Sequence, residues 1–584
     1  MKKTIIRISC ICIVLVMGLS ALTSCGKIFD LFNKEPEESE TVSDVIDTES
    51  ETDGKETQTE DDETEADSET GKNDTQDTEE PVEDESEIES SVEESEEEED
   101  TEDEEETEEE EKDERELYRP DRIDYNKADF VIAQSLNDKK QWVAPVDGKG
   151  ADAINVALTN RNNLLQTYFN VNVVVKDYDN SDNASTTIRN EFEAAAMSGT
   201  AISDIAFAVS GQISKSLIIN GFIEDVNTLS ALNLDASYYD QRLREEYNIE
   251  GRLFCLEGDF GLHDELRTHV VGVNKTKYDA FGYNEQYGSL YEIVKEGDWT
   301  LDLMLQMAKN TSDYASMGSQ MTTENNWGII SESGFVYAVF LGTGNKIIKT
   351  DKNGALSVAY SDPTSYAIIE DMFQDITNKV VLENPETLLA DTTKLQGVNF
   401  GVVQGMFAQG KALFRTSTLV DFTKYADMDD AFGILPVPKY DEEQDNYYSW
   451  CSSQAHSPLF IPRNNVDLDR TATITEAMAY FSKYMVGNTQ TVHDAFYQNM
   501  ADAKLCLTIN DREMLDLIFE QRTFDLDHVL NISNTCNTVA AAAKGSVTSL
   551  PASLATIQNT MTNPDPKTNP LDTFLESMRK NYDN

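Results

Sequence analysis

The chain is poor in basic residues and in histidine: 46 Lys+Arg stand against 109 Asp+Glu, and five histidines occur in 584 residues. A nucleic-acid surface needs clustered positive charge, so a nucleic-acid partner is excluded. His263, His269, His456, His493 and His528 form no HExxH or other metal-ligand spacing. No GxSxG elbow and no GxxxxGK[ST] loop occurs, so hydrolase and nucleotide-hydrolysing readings lack their nucleophile or phosphate cradle. Two carboxylates could still serve a glycosidase, but among so many acids the sequence singles out no pair. No catalysis, cofactor or metal is expected.

The acidity is not evenly spread. Residues 35–116 hold 45 acidic and 4 basic residues, a local charge of −41 out of −63 for the whole chain. Glu, Asp, Ser and Thr in that proportion cannot bury enough apolar surface to offset the entropy of ordering, so a disordered linker is expected. Such a chain spans roughly 50 Å on average, and repulsion between its charges extends it further. That suits a tether. The remaining chain has ordinary composition and is long enough for two or three packed units.

Before the tether, Lys2, Lys3 and Arg7 precede an apolar run from Ile8 to Ala21 that is short for a spanning helix and reads as an export signal. It ends in Leu22-Thr23-Ser24-Cys25, which resembles a bacterial lipobox, in which the cysteine thiol takes diacylglycerol and becomes the mature N-terminus. Two acyl chains hold where one is marginal, each buried CH₂ contributing about 0.8 kcal/mol. The expected organisation is a signal peptide over 1–24, a lipidated N-terminus and linker over 25–120, and a globular part over 121–584. Cys10 and Cys12 leave with the signal and Cys25 is consumed by lipid. Cys255, Cys451, Cys506 and Cys536 remain, without CxxC spacing, as two disulfides or as buried thiols.

From Ala128 the pattern alternates. Phe130 to Ala133, Val171 to Val175 and Asp204 to Val209 read as strands, and Ile154 to Phe169 and Ile188 to Met197 as helices, which implies parallel pairing with right-handed crossovers. The second half reads as mostly helical. Thr300 is placed to cap a helix whose apolar face is Leu301, Met304, Leu305 and Ala308, with Trp299 in the core. Asp362-Pro363 opens another helix, Asp351 to Gly354 turns a hairpin between Ile347 and Val358, and Ile474 to Met485 is amphipathic.

Several segments in order resemble one family. They are Gly199-Thr200 through Asp204-Ile205-Ala206-Phe207, Gly221 to Asp225, Tyr247 to Phe254 with Gly258-Asp259, Gly272-Val273-Asn274-Lys275, Leu290 to Val294 before Trp299-Thr300, Phe407 to Phe414, and Gly433 to Lys439. Behind a lipobox and a spacer, this order is similar to the sugar-type solute-binding lipoproteins of ABC importers, the broad group containing maltose-binding protein. The resemblance implies a two-lobed α/β, periplasmic-binding-protein-like fold with a hinge. Lobe I would cover about 125–270 and 460–520, and lobe II about 275–450 and the C-terminal part. It further implies a monomer on the outer face of the cell membrane that captures an oligosaccharide and works with ABC permease subunits. A peptide or charged-solute receptor on the same fold and a non-transporting adhesion lipoprotein are the alternatives.

Sugars are held by hydrogen bonds to hydroxyls and by aromatic faces against their C–H patches, in clefts beyond the carboxyl ends of strands. Ser210 and Gln212 follow the third strand, Asp259 follows Leu253 to Leu256, and Arg415, Thr416 and Ser417 follow Ala412 to Phe414. Tyr448 and Trp450 lie where the family returns to its first lobe, Trp450 amid Tyr447, Ser449 and Ser452. These are the candidate ligand contacts, while Trp142 and Trp327 read as structural.

Overall fold

A computed structural model describes residues 118–135, 142–146, 152–178, 184–318, 322–331, 334–359, 381–382, 401–453, 456–543 and 550–583. The export signal, Cys25, the acidic stretch and the helix expected from Asp362-Pro363 lie outside them.

The first sheet is built from β1 (Ala128–Ser135), α1 (Ala153–Phe169), β2 (Val171–Tyr178), α2 (Ala184–Ser198), β3 (Ile205–Phe207) and α3 (Ser210–Ile219). β1 pairs in parallel with β2 on one side and β3 on the other, as the alternation of strands and helices predicts. Its central place explains why Phe130, Ile132 and Ala133 are all buried instead of alternating. Asp152 caps α1 by accepting from Asn155 N, and Asn170 ends it in the left-handed region at φ 46°. After α4 (Gln241–Glu246) and α5 (His263–Leu266) the chain crosses to a second sheet. The strand expected over Leu253 to Leu256 is an irregular segment, held by a single bridge from Leu256 to Leu459.

The second sheet has the order β10 (Phe432–Leu435), β4 (His269–Asn274), β9 (Ala412–Thr418), β5 (Trp327–Ser331), β8 (Val381–Leu382). The second half is mostly helical, as expected, but this sheet at its centre was not foreseen. β5 and β10 are short and wholly buried and β9 nearly so, so they show no period-2 signal and blend into the helical stretches around them. Between β4 and β5, α6 (Leu301–Thr311) is capped by Thr300 as expected, with Trp299 fully buried and donating from Nε1 to Pro436 O. α7 (Phe335–Gly342) follows β5, and β6 (Ile348–Thr350) with β7 (Leu356–Val358) forms the expected hairpin. Trp142 and Trp327 are both buried, in keeping with structural roles.

The chain then returns through β11 (Ser449–Trp450) to β12 (Leu459–Phe460), which joins the first sheet antiparallel to β3. α8 (Leu468–Lys483) and α9 (Val492–Asp502) pack on α1, and α10 (Ile509–Glu520) packs on β10 of the second sheet. β13 (Arg522–Thr523) pairs with β11, while α11 (Leu526–Leu530) and α12 (Pro570–Tyr582) return to α3. The result is two α/β halves, each built around its own sheet. They are joined where Thr268 bridges Cys451 and Cys451 N donates to Thr523 O. Cys255, Cys451, Cys506 and Cys536 are free thiols.

Candidate functional site

Residues 449–453 and 456–457 tie the two sheets together, past the carboxyl end of β3 and beside the amino end of β4. On the first-sheet side, Ser210 N donates to His456 O, Gly211 N donates to Ser453 O, and Ser210 Oγ lies 3.2 Å from His456 Nδ1. On the second-sheet side, the imidazole of His269, first residue of β4, stacks on the Trp450 indole with 5.0 Å between centroids and 5° between planes. Tyr337 from α7 meets the same indole edge-on at 5.1 Å and His528 from α11 at 5.5 Å. Trp450 is thereby 1% exposed. A protein ring already occupies one of its faces, which its polar neighbours in sequence did not suggest.

The first crossing supplies the other wall. Trp142 sits 4.8 Å from His263, near-perpendicular to it, and the Arg267 guanidinium lies 4.9 Å from the Trp142 ring. Arg161, buried in α1, fixes this corner by donating to Phe260 O and Val143 O at 2.6 and 2.5 Å. Burial holds His263 neutral, with its pKa lowered to about 3, and likewise lowers His269 to about 4. His456 and His528 are also depressed by burial. The seam therefore presents four uncharged imidazoles at neutral pH. Its buried polar atoms without a hydrogen-bond partner among the described residues include Trp450 Nε1, His263 Nδ1 and Thr416 Oγ1.

The sequence-derived candidates separate into distinct places. Ser210 and Trp450 are at the seam, with Thr416 contributing its unpartnered hydroxyl. Arg415 and Ser417 alternate with Thr416 along β9 and turn to Asp421: Ser417 Oγ donates to it at 2.5 Å, and Arg415 Nη2 is 3.8 Å away. Burial alone would raise Asp421, but Arg415 and Lys424 beside it hold its pKa down to about 2. Asp259 lies in a separate cavity of about 440 Å³, 2.8 Å from His493 Nδ1 and 3.4 Å from Lys483 Nζ. Tyr448 lines a third space of about 240 Å³ with Lys346, Thr350 and Phe524. Gln212 falls in α3, and its side chain is outside the described residues. The seam histidines were not singled out, because only strand pairing brings them together. Among the described residues, no group of three His, Cys, Asp or Glu side chains could hold a metal ion.

No protein-family model matches the chain, and no curated protein matches it. Among solved structures it is similar to the ABC substrate-binding protein Lmo0181 from Listeria monocytogenes in complex with cycloalternan, at 14% identity over 74% of this chain and 98% of that one, TM-score 0.46. A cyclo/maltodextrin-binding protein complexed with maltotetraose matches at 11% identity over 75% and 98%, TM-score 0.47. Maltose-bound MalE3 of T. maritima matches at 12% over 74% and 98%, TM-score 0.44. Likenesses this distant name no ligand for this chain.

Proposed function

We propose that the chain is a lipid-anchored extracellular receptor that captures a neutral carbohydrate at the seam and delivers it to an ABC permease. The observation that supports this most directly is the set of buried, unpartnered polar atoms at the seam, Trp450 Nε1, Thr416 Oγ1 and His263 Nδ1, beside a stacked indole. A buried donor or acceptor without a partner costs about 1–3 kcal/mol, and a polyhydroxylated solute would relieve that cost. Burial of the four imidazoles keeps them as neutral hydrogen-bonding groups, which favours an uncharged ligand over an anion. A solute touching both halves would stabilise the closed state by its differential affinity. Calorimetric titration of the full chain with neutral oligosaccharides, peptides and amines tests the reading. Saccharide binding supports it, and a folded protein that binds only peptides, or nothing, moves it to the peptide or adhesion alternative.

Anchoring rests on Cys25. No helix among the described residues is long and apolar enough to cross a membrane. Cys25→Ala is therefore expected to shift the protein from the membrane fraction to the soluble one, with its fold unchanged. A variant that stays membrane-bound after a high-salt wash would remove the lipid anchor from the proposal.

A further inference from the structure

The cavity that receives Asp259 lies across the first crossing from Trp142. Along the four-residue α5, His263 touches Trp142, while Glu265, two positions on and so on the opposite side of the helix, lines the cavity. Its volume of about 440 Å³ is within the range of small-molecule sites. Its apolar wall includes Tyr239, Phe496, Tyr497 and Phe519.

Each Arg and Lys of the wall has a carboxylate partner. Arg522 Nη2 meets Asp240 at 2.5 Å and Asp264 at 2.9 Å, Lys483 meets Asp259, and Arg242 meets Glu245 at 3.1 Å and Glu246 at 3.8 Å. Arg522 Nε and Nη1 and Arg242 Nε make no further hydrogen bond among the described residues, but each guanidinium already faces carboxylates. Acids outnumber these cations in the wall, Asp240, Asp259, Glu265, Asp516 and Glu520 against Arg242, Lys483 and Arg522, and Glu265 Oε2 is buried with no hydrogen-bond partner among the described residues. An ammonium, which only donates, is its natural complement. The rings around it already carry cations on their faces, Arg512 at 3.9 Å over Tyr497 and Arg522 at 5.5 Å over Phe519.

We propose that this cavity is a second solute site, separate from the seam, for a small organic cation whose ammonium docks on Glu265 and whose carbon chain lies against Tyr239, Phe496 and Phe519. Glu265 is faced by Asp264 on its own helix, Asp259 on the crossing segment, Arg522 from β13 and Tyr497 from α9. Burial first, and then the charge of Asp264, hold its proton on well above the usual carboxyl range. An arriving ammonium replaces that proton, so binding releases it and tightens as pH rises.

The test is calorimetric titration of the full chain with 1,4-diaminobutane at about 0.15 M salt, with 1,4-butanediol as the uncharged control, in two buffers of different ionisation enthalpy. The acidic 35–116 stretch attracts the diamine only diffusely and equally in every variant, as an unsaturable background. The expected result is one saturable event for the diamine, none for the diol, and proton release on binding. Glu265→Gln, which mimics the protonated group and should fold normally, is expected to weaken it about tenfold or more and to abolish the proton release. Phe519→Leu is expected to weaken it with the proton release intact. Absence of a saturable event, an equal response to the diol, or full affinity in Glu265→Gln would each overturn the proposal.

Discussion

Alanine in place of Arg522 is expected to lower the unfolding free energy by about 3–5 kcal/mol at neutral pH, the usual cost of stranding buried charge partners. Arg522 is 7% exposed and lies between Asp240 and Asp264, with Glu257 and Glu265 nearby, and β13 carries it into the join between the two halves. Burial is the largest influence on Asp240, Glu257 and Glu265 and raises all three, while Arg522 pulls each of them down. Without it they rise further. A carboxyl group raised in the folded state contributes stability that is full below its unfolded value, near 3.8 for Asp and 4.5 for Glu, and is lost as pH climbs through the folded value. The penalty of Arg522→Ala should therefore be largest at alkaline pH and shrink as pH falls toward about 5. Urea unfolding of both proteins at several pH values measures it. A penalty that does not change with pH would mean that the acids do not share the guanidinium.

Much of the first half was legible because its physics is local. β1, α1, β2 and β3 alternate strand and helix signals, and parallel pairing follows. In the second half the Thr300 cap and the hairpin around Asp351 were equally local. β5, β9 and β10 were not legible, since residues such as Ile329, Phe414 and Ile434 are buried whichever way they point. The site divides in the same way. Ser210 follows β3 and Trp450 lies on β11, positions that the sequence pattern suggests. That His269 would cover the Trp450 face depends on β4 pairing with β9, and on Thr268 bridging Cys451, neither of which leaves a mark in the spacing of residues. Asp259 follows the irregular Leu253 to Leu256 segment and lines the cavity of about 440 Å³. Gly258 sets its course there, because a Cβ at that position would come within 2.0 Å of the Tyr238 carbonyl oxygen.

Trp450 separates stability from binding more sharply than any other residue of the seam. Trp450→Ala removes a fully buried indole held by His269, Tyr337 and His528 and is expected to cost about 3–5 kcal/mol of stability. Lost binding in that variant would thus be ambiguous. Trp450→Phe is the informative change, since it keeps an aromatic face for His269 and deletes Nε1. The smaller ring leaves a modest void, but the deleted donor has no partner among the described residues, so removing it relieves a cost of about 1–3 kcal/mol. Thermal stability should consequently stay within about 1 kcal/mol of the parent. If the indole N–H donates to a ligand hydroxyl, the affinity for whichever saccharide binds the parent should fall about tenfold, the equivalent of about 1.4 kcal/mol. Parent-like stability with weakened binding would assign the N–H to the ligand. Parent-like affinity would make Trp450 a packing residue and move the capture site to the Trp142 and His263 side of the seam.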